Sequence, residues 1–328
     1  MNLKQFQEQF SDEATCHKFI ESIRWPTGRV CPHCGHGQSW VIRAAVRRPV
    51  RYECKQCARQ FTVTTKTALH ATKLPLFTWL LSMYLICSSS KGIASTILAK
   101  LIGTTQPTAW KIGHTIRHMM NSSRSDISIL KGIIELDEKY VGGKPAKVQG
   151  VQHKRGKGTS KQTVLVAAQR HGPVRAVPIA SEKASTMQPI IDQHLCKSAH
   201  LMSDGHRSYI KIGKQFAAHS HVNHSKQEYS RGSTHSNTAE SFSSMLERAR
   251  FGVFHYMSPK HLKRYLSEME FRWETRVAKK NKNSYDKQKT VMKLIPVNDM
   301  LVILIMRFSG FCLKRTKSWG IMEFTFNL

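Results

Sequence analysis

Lys131-Gly-Ile-Ile-Glu-Leu-Asp137-Glu-Lys-Tyr-Val-Gly-Gly143 sets three acids inside an apolar, β-prone run of an otherwise strongly basic chain. An acid at the centre of a strand needs a partner or holds a cation, because a lone buried carboxylate carries a large desolvation penalty. Asp137 is therefore the residue around which the chain is read, and a metal would satisfy it. Glu135 and Glu138, which flank it, are assigned to the opposite strand face as partners for Lys or Arg.

Working outward, Ile133 to Asp137 is the first strand, Gln162 to Gln169 the second, and Val174 to Ala180, after the His171-Gly172-Pro173 turn, the third. Lys144 to Lys161, rich in Lys, Gly and Gln, reads as a mobile basic loop. Ala184 to Cys196 is helical, and His200 to Ser203 is a short strand that delivers Asp204. His235-Ser-Asn237-Thr-Ala-Glu240-Ser-Phe242 opens a long helix running through Arg250, with Asn237 as N-cap and Glu240 as its capping-box partner. A second amphipathic helix covers Pro259 to about Arg276. Three strands, a helix, a strand and then helices is the order of a ribonuclease-H-like α/β domain, spanning 131–278.

In such a domain Asp137, Asp204 and an acid early in the later helix converge on one edge of the sheet. Phosphodiester chemistry uses this convergence, because paired Mg²⁺ ions need bridging carboxylates. Taken singly, Asp204-Gly205 is a turn signal, and Asn237 with Glu240 is sufficient as a helix cap. The joint order on a basic chain favours a catalytic site. His219, His221, His224 and His235 are too irregularly spaced for a second metal and read as phosphate contacts or solvated loop positions.

Upstream, residues 1–25 form an amphipathic helical lead-in in which Cys16 is a small buried hydrophobe. Cys31-Pro-His-Cys34 and Cys54-Lys-Gln-Cys57 fill residues 26–66 with the two-knuckle spacing of a structural zinc site, which a redox pair does not explain. His33 and His36 lie beside that zinc rather than on it. In residues 67–125, Leu74 to Cys87 is a buried helix. A helix through Leu98 and Leu101 then stops at Gly103, and a second begins at Thr104 or Thr105 with an early Pro107. That is a helix-turn-helix pattern, and it carries Gln106, Thr108 and Lys111 toward a DNA major groove. The boundary with the α/β domain falls in 121–130. Residues 279–328 are a basic linker and a tail whose apolar run, Val297 to Phe311, has no place in the pattern.

The chain has 328 residues with 51 Lys and Arg against 21 Asp and Glu, a formal charge of +30, and the excess runs through both halves. A polyanionic partner, nucleic acid, follows. Hydrophobic content of 40% is enough for a real core and excludes wholesale disorder. The start lacks a secretory pattern, and Leu74 to Cys87 is too short for a bilayer. Eight cysteines, four in tight pairs, suit metal binding in a reducing compartment, so a cytoplasmic protein is expected.

The two CxxC knuckles, Ser90-Lys-Gly-Ile-Ala, Glu135-Leu-Asp137-Glu-Lys-Tyr-Val-Gly-Gly143, Ser203-Asp204-Gly, His235-Ser-Asn237-Thr-Ala-Glu240-Ser-Phe, Tyr256 and His261-Leu-Lys-Arg-Tyr265 together resemble the ISXO-type insertion-sequence DDE transposases. The resemblance covers roughly residues 15 to 276. It implies a ribonuclease-H-like catalytic domain behind a zinc ribbon, Mg²⁺ or Mn²⁺ at the acids, structural Zn²⁺, and cut-and-join chemistry on transposon ends. Asp137 and Asp204 fall on the first two acidic positions, and Asn237 and Glu240 are both available for the third. The implied partners are terminal inverted repeats, target DNA and a second copy or larger synaptic assembly, in a prokaryotic, nucleoid-associated setting without a membrane. Two features depart from the family. Glu247 stands where members commonly carry Lys, leaving Arg248 or Arg250 to serve instead, and the tail has no counterpart. The alternative is a decayed or repurposed zinc-ribbon and helix-turn-helix DNA-binding protein.

Overall fold

The computed structural model describes residues 1–42, 50–121, 129–143, 161–222, 230–280, 290–315 and 321–325. All but the last residue of the basic loop expected at 144–161, His224 and most of the 121–130 boundary lie outside these residues. The chain divides into two compact units, residues 1–119 with 294–328, and residues 120–293.

In the first unit the lead-in is two helices, α1 (Leu3–Gln9) and α2 (Glu13–Arg24). Asp12 breaks the run by accepting the Thr15 amide at 2.7 Å as the N-cap of α2. Phe6, Phe10, Cys16 and Ile20 are buried, and burial pushes the Cys16 thiol up to about 12, as a small hydrophobe requires. A three-stranded antiparallel ribbon follows: β1 (Ser39–Ile42), β2 (Arg51–Cys54) and β3 (Gln60–Phe61). Helix α3 (Leu76–Ser88) starts after Pro75, which provides no side-chain cap. Glu13 supplies the missing acceptor from α2, taking the Leu76 and Phe77 amides at 2.9 Å each. Helices α4 (Ser95–Leu101) and α5 (Gln106–Met119) flank Gly103, whose φ of +64° reverses the chain.

The sheet of the second unit is mixed. Its strands are β4 (Ile133–Val141), β5 (Gln162–Gln169), β6 (Val174–Ile179), β7 (His200–Asp204) and β8 (Ala218–Val222), in the order β6-β5-β4-β7-β8. β6, β5 and β4 pair antiparallel, and β4, β7 and β8 parallel. Helices α6 (Ala184–His194) and α7 (Arg207–Gly213) cover one face, packing Met187, Ile191, Tyr209 and Ile212 against Ile134, Leu136, Leu165 and Ala167. Helices α8 (Asn237–Ala249) and α9 (Leu262–Glu274) cover the other, with Phe242, Leu246, Leu266 and Met269 against Val141, Val164, Val166 and Ala168. β5 is buried on both faces, which is why it reads as an unbroken apolar run. A short hairpin, β9 (Arg276–Lys280) with β10 (Thr290–Leu294), follows α9.

The apolar run of the tail belongs to the first unit. Helix α10 (Val297–Met306) packs against α2 and α3 through Met300, Leu301, Leu304 and Ile305. Beyond it the Phe308 carbonyl accepts the Ala68 amide at 2.7 Å, and the Gly310 amide donates to the Lys66 carbonyl at 3.0 Å. The last hairpin is β11 (Phe311–Arg315) with β12 (Ile321–Thr325). Among the described residues no helix is long and apolar enough to cross a membrane.

Candidate functional site

Side chains alternate along a strand, so residues two apart share a face. Ile134 and Leu136 point toward α6 and α7, which turns Glu135, Asp137 and Lys139 together toward α8 and α9. Glu135 therefore shares the face of Asp137, contrary to the sequence assignment, and only Glu138 lies opposite. The parallel register sets Glu135 level with Met202. Two residues further along each strand come Asp137 and Asp204, on neighbouring strands and on one face.

Helix α8 brings Glu240 over that face. Its N-cap is Ser236 rather than Asn237, and the expected capping box is absent: the Ser236 hydroxyl donates to Glu240 Oε1 at 2.8 Å. Asn237 is the first helical residue, and it lines a polar cleft with Glu240, Ser241, Ser244 and Arg248. The Ser243 hydroxyl donates to Asp137 Oδ2 at 3.4 Å, and Asp204 Oδ1 accepts the His206 amide at 3.1 Å.

Asp137 is held at about 6 by burial, with the charges of Glu240 and Asp204 adding to the shift. Glu138, on the other face, is pushed to about 7 by burial against the pull of the Tyr209 hydroxyl, and the charges of Asp204, Asp137 and Glu182 raise it further. Asp137 is thus a half-buried carboxyl pressed by two others, a donor set of hard oxygens that fits a divalent cation. The three carboxylates do not all close to within 4.8 Å of one another; among the described residues only the four ribbon cysteines do so.

Those cysteines form a tight cluster. Cys31 and Cys57 sulfurs lie 3.8 Å apart and Cys34 and Cys54 sulfurs 3.5 Å, near the roughly 3.7 Å edge of a tetrahedron with Zn–S bonds of about 2.3 Å. The His33 amide donates to Cys31 Sγ and the Gln56 amide to Cys54 Sγ, each at 3.4 Å. The Cys54 thiol is drawn down to about 7, first by the backbone amide of Cys57. All four donors come from the chain, so the centre fits a structural zinc. His33 and His36 stand outside the cluster.

Of the expected DNA contacts, Gln106 is exposed and donates to Ser95 Oγ at 2.9 Å, while Thr108 and Lys111 are partly exposed on the same first turns of α5. The rest of α5 from Ile112 to Met119 is buried. Arg248 is exposed in the cleft beside Glu240, and Arg250 lays its guanidinium over the Phe251 ring at 3.7 Å.

Three features escaped the sequence reading. Lys139 lies 3.1 Å from Glu247, pairing a helix acid with a strand cation; its spacing of two from Asp137 is the signal. His219 and His221 belong to strand β8 rather than a loop, and His219 Nε2 is 2.9 Å from the Ser203 hydroxyl. Alternating Ala-His-Ser-His-Val offers too little apolar character to be read as a strand. After α8 a π-helical turn, Arg250–Phe254, precedes His255 at φ +55° and leaves Phe251 and Tyr256 60% and 61% exposed.

Residues 129–274 match the family model of the ISXO2-like transposase domain, and residues 11–60 that of the transposase zinc-ribbon domain. An uncharacterized protein in transposable element ISH50 of Halobacterium salinarum (strain ATCC 700922 / JCM 11081 / NRC-1) is 27% identical over 252 residues, 73% of this chain and 83% of its own length. Among solved structures, a pre-cleavage Mos1 transpososome aligns over 59% of this chain and 73% of its own at 12% identity, with a TM-score of 0.27. A Mos1 mariner paired-end complex with Mn aligns over 60% and 77% at 13% identity, with a TM-score of 0.21. Superpositions this loose carry no argument about fold or activity.

Proposed function

We propose that the chain, which matches the ISXO2-like transposase domain over residues 129–274 and the transposase zinc ribbon over residues 11–60, is the DNA transposase of an insertion sequence, a DDE-type enzyme that cuts the element's ends and joins them to target DNA. The observation that carries the chemistry is the convergence of Asp137, Asp204 and Glu240 on one face of the sheet, where the two neighbours' charges help hold the Asp137 carboxyl at about 6. Antiparallel β6-β5-β4 continued by parallel β7 and β8 supports a ribonuclease-H-like domain.

Asp137, Asp204 and Glu240 would hold Mg²⁺ or Mn²⁺, with Asn237 the alternative third ligand, and the metal when bound supplies activation of the attacking oxygen and charge relief at the leaving one. The chain's own groups prepare the acids. Ser243, the His206 amide and Ser236 each hold one oxygen of Asp137, Asp204 and Glu240 respectively, which fixes how the carboxyls turn. Asp137, whose carboxyl burial and the neighbouring acids hold above the usual range, must shed its proton to serve as a ligand.

The formal charge of +30 suits neutralisation of DNA phosphates. The helix-turn-helix reading is supported by α4, Gly103 and α5, whose partly exposed first turns carry Gln106, Thr108 and Lys111. In the second unit, Arg248 near the end of α8 and Arg250 just past it would supply further cations for DNA phosphates. Joining two ends calls for a dimer or larger synaptic assembly, working in the cytoplasm on the nucleoid. A DNA-binding protein without catalysis is the second reading, favoured by Glu247 where the family commonly carries Lys.

The test is Mg²⁺-dependent insertion of the element's own ends into a target plasmid. Wild type is expected to yield insertions and Asp137→Ala and Asp204→Ala none; equal activity in all three refutes the site. DNA binding without products in any of them favours the second reading.

A further inference from the structure

We infer that the buried Glu135 carboxylate is the positioning residue of the acid site: it fixes where Glu240 stands relative to Asp137 and Asp204. The inference rests on the proposed reading of those three acids.

Glu135 is fully buried. The N-cap of α8, Ser236, makes no side-chain bond to the helix backbone, so the first-turn amides need an outside acceptor. Glu135 Oε2 takes the amides of Thr238 at 2.6 Å and Ala239 at 3.2 Å, and Oε1 takes the Thr238 hydroxyl at 3.0 Å. Arg170, just past β5, donates through Nε to Glu135 Oε1 at 2.6 Å. Through Nη2 it donates to the His235 carbonyl at 3.2 Å and Met202 Sδ at 3.0 Å. His235 Nδ1 lies 3.3 Å from the same carboxylate.

The contacts fall at equivalent places. Glu135 is two residues before Asp137 on β4, Met202 two before Asp204 on β7, and Thr238 two before Glu240 on α8. One charged node thus grips all three elements one step upstream of their acids. A helix start captured by an anion is also favoured by the helix dipole. Because the carboxylate has no solvent to fall back on, a change in its length or charge must move the helix rather than be absorbed. Glu13 does the same for α3, where no acid site depends on it.

The test uses the full chain and Mn²⁺ alone, titrated by electron paramagnetic resonance, with amide hydrogen exchange read at Thr238 and Ala239. Glu135→Asp keeps the charge and retracts it; Glu135→Gln keeps the shape and removes the charge. Both are expected to lose about 10- to 100-fold in Mn²⁺ affinity and to speed exchange at the two amides. Thr238→Val, which removes one donor with little risk to folding, is expected to lose about threefold to tenfold. Glu268→Gln, which breaks a buried pair with Arg272 inside α9, serves as the stability control and is expected to lower thermal stability with Mn²⁺ affinity unchanged. Wild-type affinity in Thr238→Val and in whichever Glu135 variant folds overturns the inference while leaving the acid site standing. Absence of Asp137-dependent Mn²⁺ binding in wild type overturns the acid site itself.

Discussion

Lys139 Nζ on β4 stands 3.1 Å from Glu247 Oε1 on α8, so the strand that carries Asp137 and the helix that carries Glu240 are joined by an ion pair beside the acids. The side chains are 27% and 41% exposed, and a pair this open contributes at most about 1 kcal/mol. If this face meets DNA as proposed, the pair also occupies a cation that would otherwise be available to a phosphate. Glu247→Ala is expected to leave stability within about 1 kcal/mol and to tighten DNA binding, with the slope of log K against log salt steeper by about 0.9. Unchanged affinity and slope would mean that Lys139 does not face DNA.

Asp137 titrates near 6 in the folded chain against about 3.9 when unfolded. Between these values the folded state holds a proton that the unfolded state has lost. Metal-free stability therefore falls as pH rises from about 4 to about 6 and is level above. Asp137→Asn removes the buried charge and is expected to stabilise the metal-free protein by up to about 3 kcal/mol at neutral pH, with little gain below pH about 4. Urea unfolding of both proteins across that range checks it; a gain independent of pH contradicts it.

The ribbon is expected to bind one zinc ion and to lose it in Cys54→Ser, together with the β1-β2-β3 sheet. The hydrophobic cluster beneath the cysteines is small, little more than Tyr52, Phe61 and Trp25, so the metal supplies what the core does not. Metal analysis and circular dichroism check this, and a zinc-free chain with an intact ribbon is the contrary result.

Leu304 on α10 is fully buried in the first unit. Leu304→Ala is expected to cost about 2–5 kcal/mol and to lower the melting temperature of that unit, measured by calorimetry. A change below about 0.5 kcal/mol, the range of surface substitutions, would mean that the tail does not pack there.

The sheet was legible in Ile133–Asp137, Gln162–Gln169 and Val174–Ile179 because alternation and continuous apolar runs report burial directly. The four cysteines were legible because their spacing leaves few other readings. β8 was not, since an edge strand of Ala, His and Ser carries no apolar period. Glu135 was given the wrong face although its spacing from Asp137 fixes the right one, and its role depends on Arg170 and Thr238, which only folding brings to it. The tail's partners, α2 and α3, lie more than two hundred residues away in sequence, and no local pattern encodes that distance.

Asp137, Asp204 and Glu240 are expected to act together on DNA. Nicking of a labelled duplex bearing the element's end, in Mg²⁺ at matched DNA occupancy, tests it most directly with wild type, Asp137→Asn, Asp204→Asn and Glu240→Gln. Wild type is expected to nick and leave a free 3′-hydroxyl, with a fall of at least about 10³-fold in each variant. Nicking by Asp137→Asn or Asp204→Asn at the wild-type rate would contradict it.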